Sequence, residues 1–571
     1  MPRIRPPSLP LVAKELTEQA ARRRTYVLRV LYALLLVAVF AFAHHQSGRH
    51  GGEMLGRGRE LFQVLVVAQM VGVLLIAPAL IAGSISSEKE RGSLTLLLLT
   101  RMSPGELLAQ KWISGLIAVG SWVLISLPLL AIAYAYGGFS SGYLVAGAAL
   151  LALTCVLATS VALAASAWCR TSAGAFVLAY LLLGGALAIG PMIDLVHGFD
   201  PYRYGGFNPR GGWAVVDGFV PDPWCLVPPA LFERYDHRRS PEHVWIDCVP
   251  LLVAITAFLA FARWAFVRRA SVTATNRVLR VFRHLDRWYE RIDARMGRRV
   301  VTDEVPVREP IAWREFNRRS LTNWRYLVRL VLPIIAVLTL GLTAAAGTSS
   351  RALHSLFATT TLGLEVLVVL VVLVLGACLV AGERSSQTLD VLLTTPITAR
   401  SIIEQKMRGM RRLWYAAWLV LGVVVGTRLI LGDLTGGFHR VAWSPWFAIA
   451  GMVLLPPVFT WFATAIGLLQ RNRNRAVATA IIGACAWIVL PTMAIGFTGD
   501  LIGADRDSTR CWLALTPFFQ PLANEIGEVH DFDAVAPLII YVVTHALVWY
   551  GMRAWCLGNA DRLLRRTSPS A

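Results

Sequence analysis

The chain has 571 residues, of which 56% are hydrophobic and only 16% charged, where a water-soluble domain carries about a quarter charged residues. That balance excludes an ordinary soluble globule and makes a lipid bilayer the default surroundings. The net charge of +20 does not indicate nucleic acid: the basic residues sit mainly in short segments between apolar runs, where anionic head groups hold them, and no RNA- or DNA-binding motif accompanies them.

A bilayer core about 30 Å thick takes roughly 20 apolar residues of helix to cross, and about twelve such runs occur. In the first half they are Val27 to Ala43, Leu61 to Gly83, Trp112 to Tyr136, Leu144 to Trp168, Gly174 to Val196 and Val244 to Val267. In the second they are Leu327 to Ala346, Leu356 to Gly382, Leu413 to Leu431, Trp446 to Leu469, Ala476 to Phe497 and Ala534 to Cys556. With the amino terminus inside, the internal segments hold most of the Lys and Arg, so both termini are expected in the cytoplasm. At the first span, Arg22 to Arg24 and Ala41-Phe42-Ala43 imitate a secretory signal and its cleavage site. The presence of an equivalent span deep in the chain favours a permanent helix.

Two blocks align without gaps. At a shift of 300, Pro10, Lys14, Glu15, Tyr26 and Arg29 fall on Pro310, Arg314, Glu315, Tyr326 and Arg329. At a shift of 295, Glu88, Leu94, Leu97, Leu98, Thr100, Gln110 and Lys111 fall on Glu383, Leu389, Leu392, Leu393, Thr395, Gln405 and Lys406. So many matches in one order mark a duplication. Units with an even number of spans share one orientation, so their axis runs along the membrane normal. The expected fold is an all-α integral membrane protein of about twelve transmembrane helices in two parallel six-helix repeats. Residues 1–267 form the first unit, with a cytoplasmic loop at 84–111, and residues 311–571 the second, with its loop at 383–412. The linker 268–310 carries a basic amphipathic helix, Asn276 to Arg299, suited to lying on the inner membrane surface.

The two loops carry the chemistry. In each, a span ends at an acidic-basic cluster; a short segment with Leu at helical spacing follows, and a Thr introduces a turn before the next span. Such a segment suits a groove of a soluble partner. The shared pattern, Glu-x-x-x-x-(Ser/Thr)-Leu-x-x-Leu-Leu-x-Thr, resembles the loop after the second span of ABC-2 type permeases, the membrane subunits of type V ABC exporters. The amphipathic segment before the first span and the six-span unit are also similar, so the resemblance covers nearly the whole chain, as two permease units fused in tandem. It implies that Glu88, Arg91, Leu94, Leu97, Leu98 and Thr100, with Glu383, Arg384, Leu389, Leu392, Leu393, Thr395 and Pro396, touch one or two cytoplasmic P-loop ABC ATPase subunits. ATP and Mg would bind on those subunits, with no cofactor in this chain. It further implies a bacterial inner membrane protein in which charge reversal at Glu88 or Glu383 uncouples hydrolysis from transport while the protein still folds. The loops differ at Arg101 against Pro396, and at Gly92 against Gln387.

No GxxxxGK(S/T) occurs, and none of the four Lys precedes Ser or Thr, so no phosphate-cradling P-loop is present. Gly138-Phe-Ser-Ser-Gly142 matches the GxSxG of serine hydrolases but falls in a short connection between spans, and reads as a turn. His44, His45 and His50 cluster without a completing carboxylate or Cys and read as solvated loop. Cys155, Cys378, Cys485 and Cys556 read as small hydrophobes, while Cys225 and Cys248 share one expected external loop and are candidates for a disulfide. Glu365 lies well inside a span, where an ionisable group costs about 3 kcal/mol or more unless paired or wetted. With Gln63 and Gln69 it is a candidate for a path along the seam between the halves; pairing within one half is the competing reading. The stretch from Gly147 through Ala158, Ser160, Ala162, Ala164, Ala165 and Ser166 is rich in small residues and predicts close helix packing. Two other classes fit less well: a secondary transporter with parallel repeats, and a membrane-embedded enzyme or scaffold.

Overall fold

The computed structural model describes residues 9–21, 23–49, 56–94, 102–196, 244–270, 309–317, 350–434, 444–503, 512–517 and 535–564, together with Leu99 and Phe232. Every regular element among them is an α-helix. The first unit comprises α1 (Pro10–Ala20), α2 (Arg23–Arg49), α3 (Gly58–Ile81), α4 (Ser86–Arg91), α5 (Pro104–Leu124), α6 (Leu127–Ala135), α7 (Ser141–Trp168), α8 (Ser172–Val196) and α9 (Val244–Ala270). The second comprises α10 (Pro310–Asn317), α11 (Ser350–Ser385), α12 (Leu389–Leu393), α13 (Ala399–Leu434), α14 (Ser444–Leu469), α15 (Arg473–Ile502), α16 (Val535–Gly558) and α17 (Ala560–Leu564). Each expected span but one coincides with these helices; Leu327 to Ala346 lies outside the described residues, as does the amphipathic linker helix. Among the described residues, nine helices are long and apolar enough to cross a membrane.

The third span of the first unit departs from expectation. It is two helices, α5 and α6, where the second unit has the unbroken α13. Pro128, in the first turn of α6, has no N–H to continue the ladder. The Ser126 hydroxyl turns back to the Val123 carbonyl at 2.8 Å, and the buried Gln69 amide donates to the Ser126 hydroxyl. Gln69 thus serves a helix break inside its own unit.

Both units are assembled alike. α3 packs on α7 and α7 on α9, as α11 packs on α14 and α14 on α16. Small residues permit the crossings: Ala158, Ser160, Ala162, Ala164, Ala165 and Ser166 of α7 are all buried, and a Cβ on Gly467 of α14 would stand 2.6 Å from the Ala377 carbonyl oxygen of α11. Between units, α8 lies against α11, and α15 lies against α3 and α2. One apolar core crosses this seam, joining Phe176 and Val177 of α8 to Val372 and Leu373 of α11 and Val477 of α15. The stretch that imitates a cleavage site also packs between units, since Phe42 of α2 fills the space over Gly496 of α15.

The GxSxG stretch is a turn built around its first glycine and its first serine. Gly138 has φ +90, and a Cβ there would overlap the Gly56 carbonyl oxygen, while the Ser140 side chain caps α7 by accepting from the Tyr143 N–H at 3.3 Å. Gly138→Ala should therefore cost about 2 kcal/mol or more, from positive-φ strain added to the overlap, read as a fall in Tm of the detergent-solubilised protein. His44 Nε2 shares a hydrogen bond with the Tyr136 hydroxyl at 3.0 Å, and the His45 ring packs 4.8 Å from that of Phe497, so two of the three clustered histidines serve packing. His50 and Cys225 lie outside the described residues, and Cys248 is buried in α9.

Candidate functional site

The two loops between second and third spans lie at the same end of the bundle. In the first unit α3 stops at Ile81 and the chain turns before α4. The Ser166 hydroxyl of α7 accepts from the Ile85 and Ser86 N–H groups at 2.9 and 3.1 Å, satisfying donors that an unbroken helix would pair internally. In the second unit α11 continues without a break through Ser385. After these helices the units converge again. Gly92 at φ 72 and Gln387 at φ 58 hold the same left-handed turn, which explains how the sequences differ there yet keep one path. Gln387 bears the strain of a side chain in that region, so Gln387→Gly should stabilise the protein by about 1 kcal/mol, read as a raised Tm.

The acids are anchored next. The Ser93 hydroxyl donates to the Glu88 carboxylate, and the Thr388 hydroxyl to the Glu383 carboxylate, five residues back in each case. The Gln-Lys pair that recurs at the start of the third span then ties each loop to the amphipathic helix of its unit. The Gln110 side-chain oxygen accepts from the Leu11 N–H at 3.0 Å, and the Gln405 oxygen from the Ile311 N–H at 3.1 Å. The lysines then fasten the loops to acids. Lys111 donates to Glu15 of α1 at 3.0 Å and to the Ser84 carbonyl at 3.2 Å. Lys406 donates to Glu383 at 2.9 Å, and Arg314 of α10 reaches the same oxygen at 2.6 Å. Glu383 is only 7% exposed, and its carboxylate is engaged by Lys406, Arg314 and Thr388. The expectation that it offers itself to a partner is corrected: the acid holds the loop's shape.

Arg384 donates to the Leu468 and Gln470 carbonyls at 2.6 and 3.2 Å, and to the Leu563 carbonyl, so it closes the carboxyl-terminal end of α14. Its counterpart at a shift of 295 is Lys89, whose ammonium donates to the Ser166, Ala167 and Cys169 carbonyls at the end of α7. Lys89 was missed by sequence reasoning, which singled out Arg91 instead; Arg91 is exposed.

The leucines divide. Leu94 and Leu389 are buried, the first in the core with Ile85, Leu107 and Leu108, the second with Val380, Ala399, Ile403 and Leu564. They pin the loops to the second and third spans. Leu392, Leu393 and Thr395 are half-buried and Pro396 is exposed, while Leu97, Leu98 and Thr100 lie outside the described residues. The apolar groups that face outward are Leu99, 82% exposed, and Val391, 67% exposed. Neither was singled out in the sequence, because helical spacing alone does not say which face meets the bundle.

Of the candidates along the spans, Gln63 is half-buried on α3, and Glu365 is buried on α11, within electrostatic reach of Tyr541 on α16 of its own unit.

At the loop end, a cleft of about 1490 Å³ opens between the units, lined by the ends of both second spans, the start of α15 and α17. Arg473, the first residue of α15, forms an ion pair with Glu90 of the other unit. Glu90 also accepts from the Ser172 N–H at 3.2 Å and from its hydroxyl at 2.9 Å.

Comparison with known families matches residues 9–200 and 316–491 to two models, each described as ABC-2 family transporter protein. No curated protein matches the chain. The two matched segments together span more than half of the chain and fall one on each structural unit. A family that forms multi-pass membrane permeases is matched twice, over helices of membrane-crossing length and apolarity, and the chain belongs to the ABC-2 transporter family as a permease with two units in tandem.

Proposed function

We propose that this chain is the transmembrane permease of an ATP-driven exporter in a bacterial cytoplasmic membrane, with both termini and both loops in the cytoplasm. Separate P-loop ATPase subunits, one or two in number, bind ATP and Mg and dock on the loops. The observation that carries this reading is the recurrence, in both units, of one loop fastened to the second and third spans and presenting outward apolar residues, Leu99 and Val391, from the same end of the bundle. The concentration of basic residues in the segments at that end supports its cytoplasmic placement.

The packing gives a path for force. A push on α12 acts through Leu389 on α11 and α13, and α11 lies against α8 across the seam. In the first unit Leu94 links the loop to the core containing Leu107 and Leu108 of α5, and α3 meets α15 across the same seam. Closure of the ATPases would thus act on both sides of the boundary between units, shifting its opening from inside to outside. Purification from native membranes tests the reading. A soluble P-loop ATPase travelling with the chain is expected; a chain that purifies alone and moves cargo on an ion gradient would instead be a secondary transporter.

A further inference from the structure

The cleft between the units is lined by six arginines, Arg91, Arg384, Arg471, Arg473, Arg475 and Arg562, against two carboxylates, Glu90 and Asp390. Its volume of about 1490 Å³ exceeds the roughly 300–1,000 Å³ of ordinary ligand pockets. Arg384 is spent on helix carbonyls and Arg473 on Glu90; Arg91, Arg471 and Arg562 still outnumber Asp390 on the walls. Arg471 and Arg562 are exposed at the rim, whereas the Arg473 side chain is only 14% exposed. A slim charged group passing the rim would meet it.

Arg473 stands where the two units meet. Its guanidinium lies over Gly382, where a Cβ would come within 2.9 Å of Nη2, and it pairs with Glu90 across the seam. The neighbouring Asn474 amide fills the space over Gly83 of the first unit. If Arg473 were drawn away, Glu90 would keep its two bonds from Ser172. The ion pair can therefore open without stranding the carboxylate.

We infer that this cleft receives a phosphate-bearing anion, which the rim arginines gather and which competes with Glu90 for Arg473, loosening the contact between units at the mouth of the seam. Guanidinium forks match phosphate oxygens two at a time, and several converging on one cleft favour a multiply charged group over a single carboxylate. The inference rests on the permease reading, because the seam matters only if cargo passes along it. The phosphate could be carried by a lipid head group or by a soluble molecule.

The test uses the purified full chain in phosphatidylcholine nanodiscs. One arm titrates inorganic pyrophosphate; the other adds phosphatidic acid to the nanodisc lipid; binding is read as a saturable rise in Tm. Saturable binding in at least one arm is expected, weakened about tenfold or more in Arg471→Gln/Arg562→Gln and tightened about threefold or more in Glu90→Gln. The responding arm identifies the source. Binding in neither arm, binding unchanged in the double variant, or no tightening in Glu90→Gln would overturn the inference. Co-purification of an ATPase is scored separately. If the double variant loses the ATPase but keeps phosphate binding, the cleft is a docking face and the inference fails. If the wild type carries no ATPase, the permease reading fails on its own, while the phosphate arms still decide the ligand.

Discussion

Glu383→Ala should destabilise the protein by about 3–5 kcal/mol, the loss typical of removing one member of a buried ion pair. Its partner Lys406 has a side chain only 3% exposed, so the variant takes a carboxylate away from a buried ammonium and removes the acceptor that Arg314 of α10 and Thr388 share. Glu88→Ala should cost about 1 kcal/mol, one ordinary hydrogen bond, because Lys111 is already paired with Glu15. Thermal denaturation in detergent measures both. Lys406→Met in the Glu383→Ala background should restore much of the lost stability, since removing both charges spares the desolvation that the single variant suffers. Equal losses at Glu88 and Glu383 would show that the two loops are held alike. The same asymmetry bears on charge reversal: at Glu88 it should leave the fold standing, and at Glu383 it should not.

Val391→Asp and Leu99→Asp should have the opposite profile, with stability nearly unchanged and partner binding lost. Both side chains are largely exposed, so neither substitution opens a cavity or buries a charge in the chain itself. Exposed apolar groups central to a docking surface contribute about 1–3 kcal/mol each, so either variant should weaken ATPase association about tenfold and the double variant more. Pull-down of the ATPase by nanodisc-embedded chain measures this directly. A double variant that still holds the ATPase would mean that the subunits dock elsewhere.

The helical spans and the duplication were legible because apolar runs and a constant sequence shift are properties of the chain alone. The aligned Gln-Lys pair was visible too, but its role was not: that Gln110 and Gln405 receive the first turns of α1 and α10 depends on where those helices return in space. The break at Pro128 was hidden because the run stays apolar through it, and the compensating amide, Gln69, is 57 residues from its partner Ser126. Glu383 reads as a surface acid because it follows the end of an apolar run, beside Arg384 and a polar stretch. It is buried where Lys406 of α13 and Arg314 of α10 converge on its carboxylate. Among the leucines, spacing shows an apolar face but not its direction, so it does not separate Leu94 and Leu389, which are buried, from Leu99 and Val391, which face outward.

The most direct measurement places a photo-cross-linking amino acid at position 99 or 391 and irradiates inside-out vesicles from the native membrane. Both positions are predicted to capture the same P-loop ATPase subunit, and irradiation of right-side-out vesicles with ATPase added outside is predicted to capture none. Capture only from the external face, or no capture at either position in vesicles that retain the ATPase, would contradict a permease driven through these two loops.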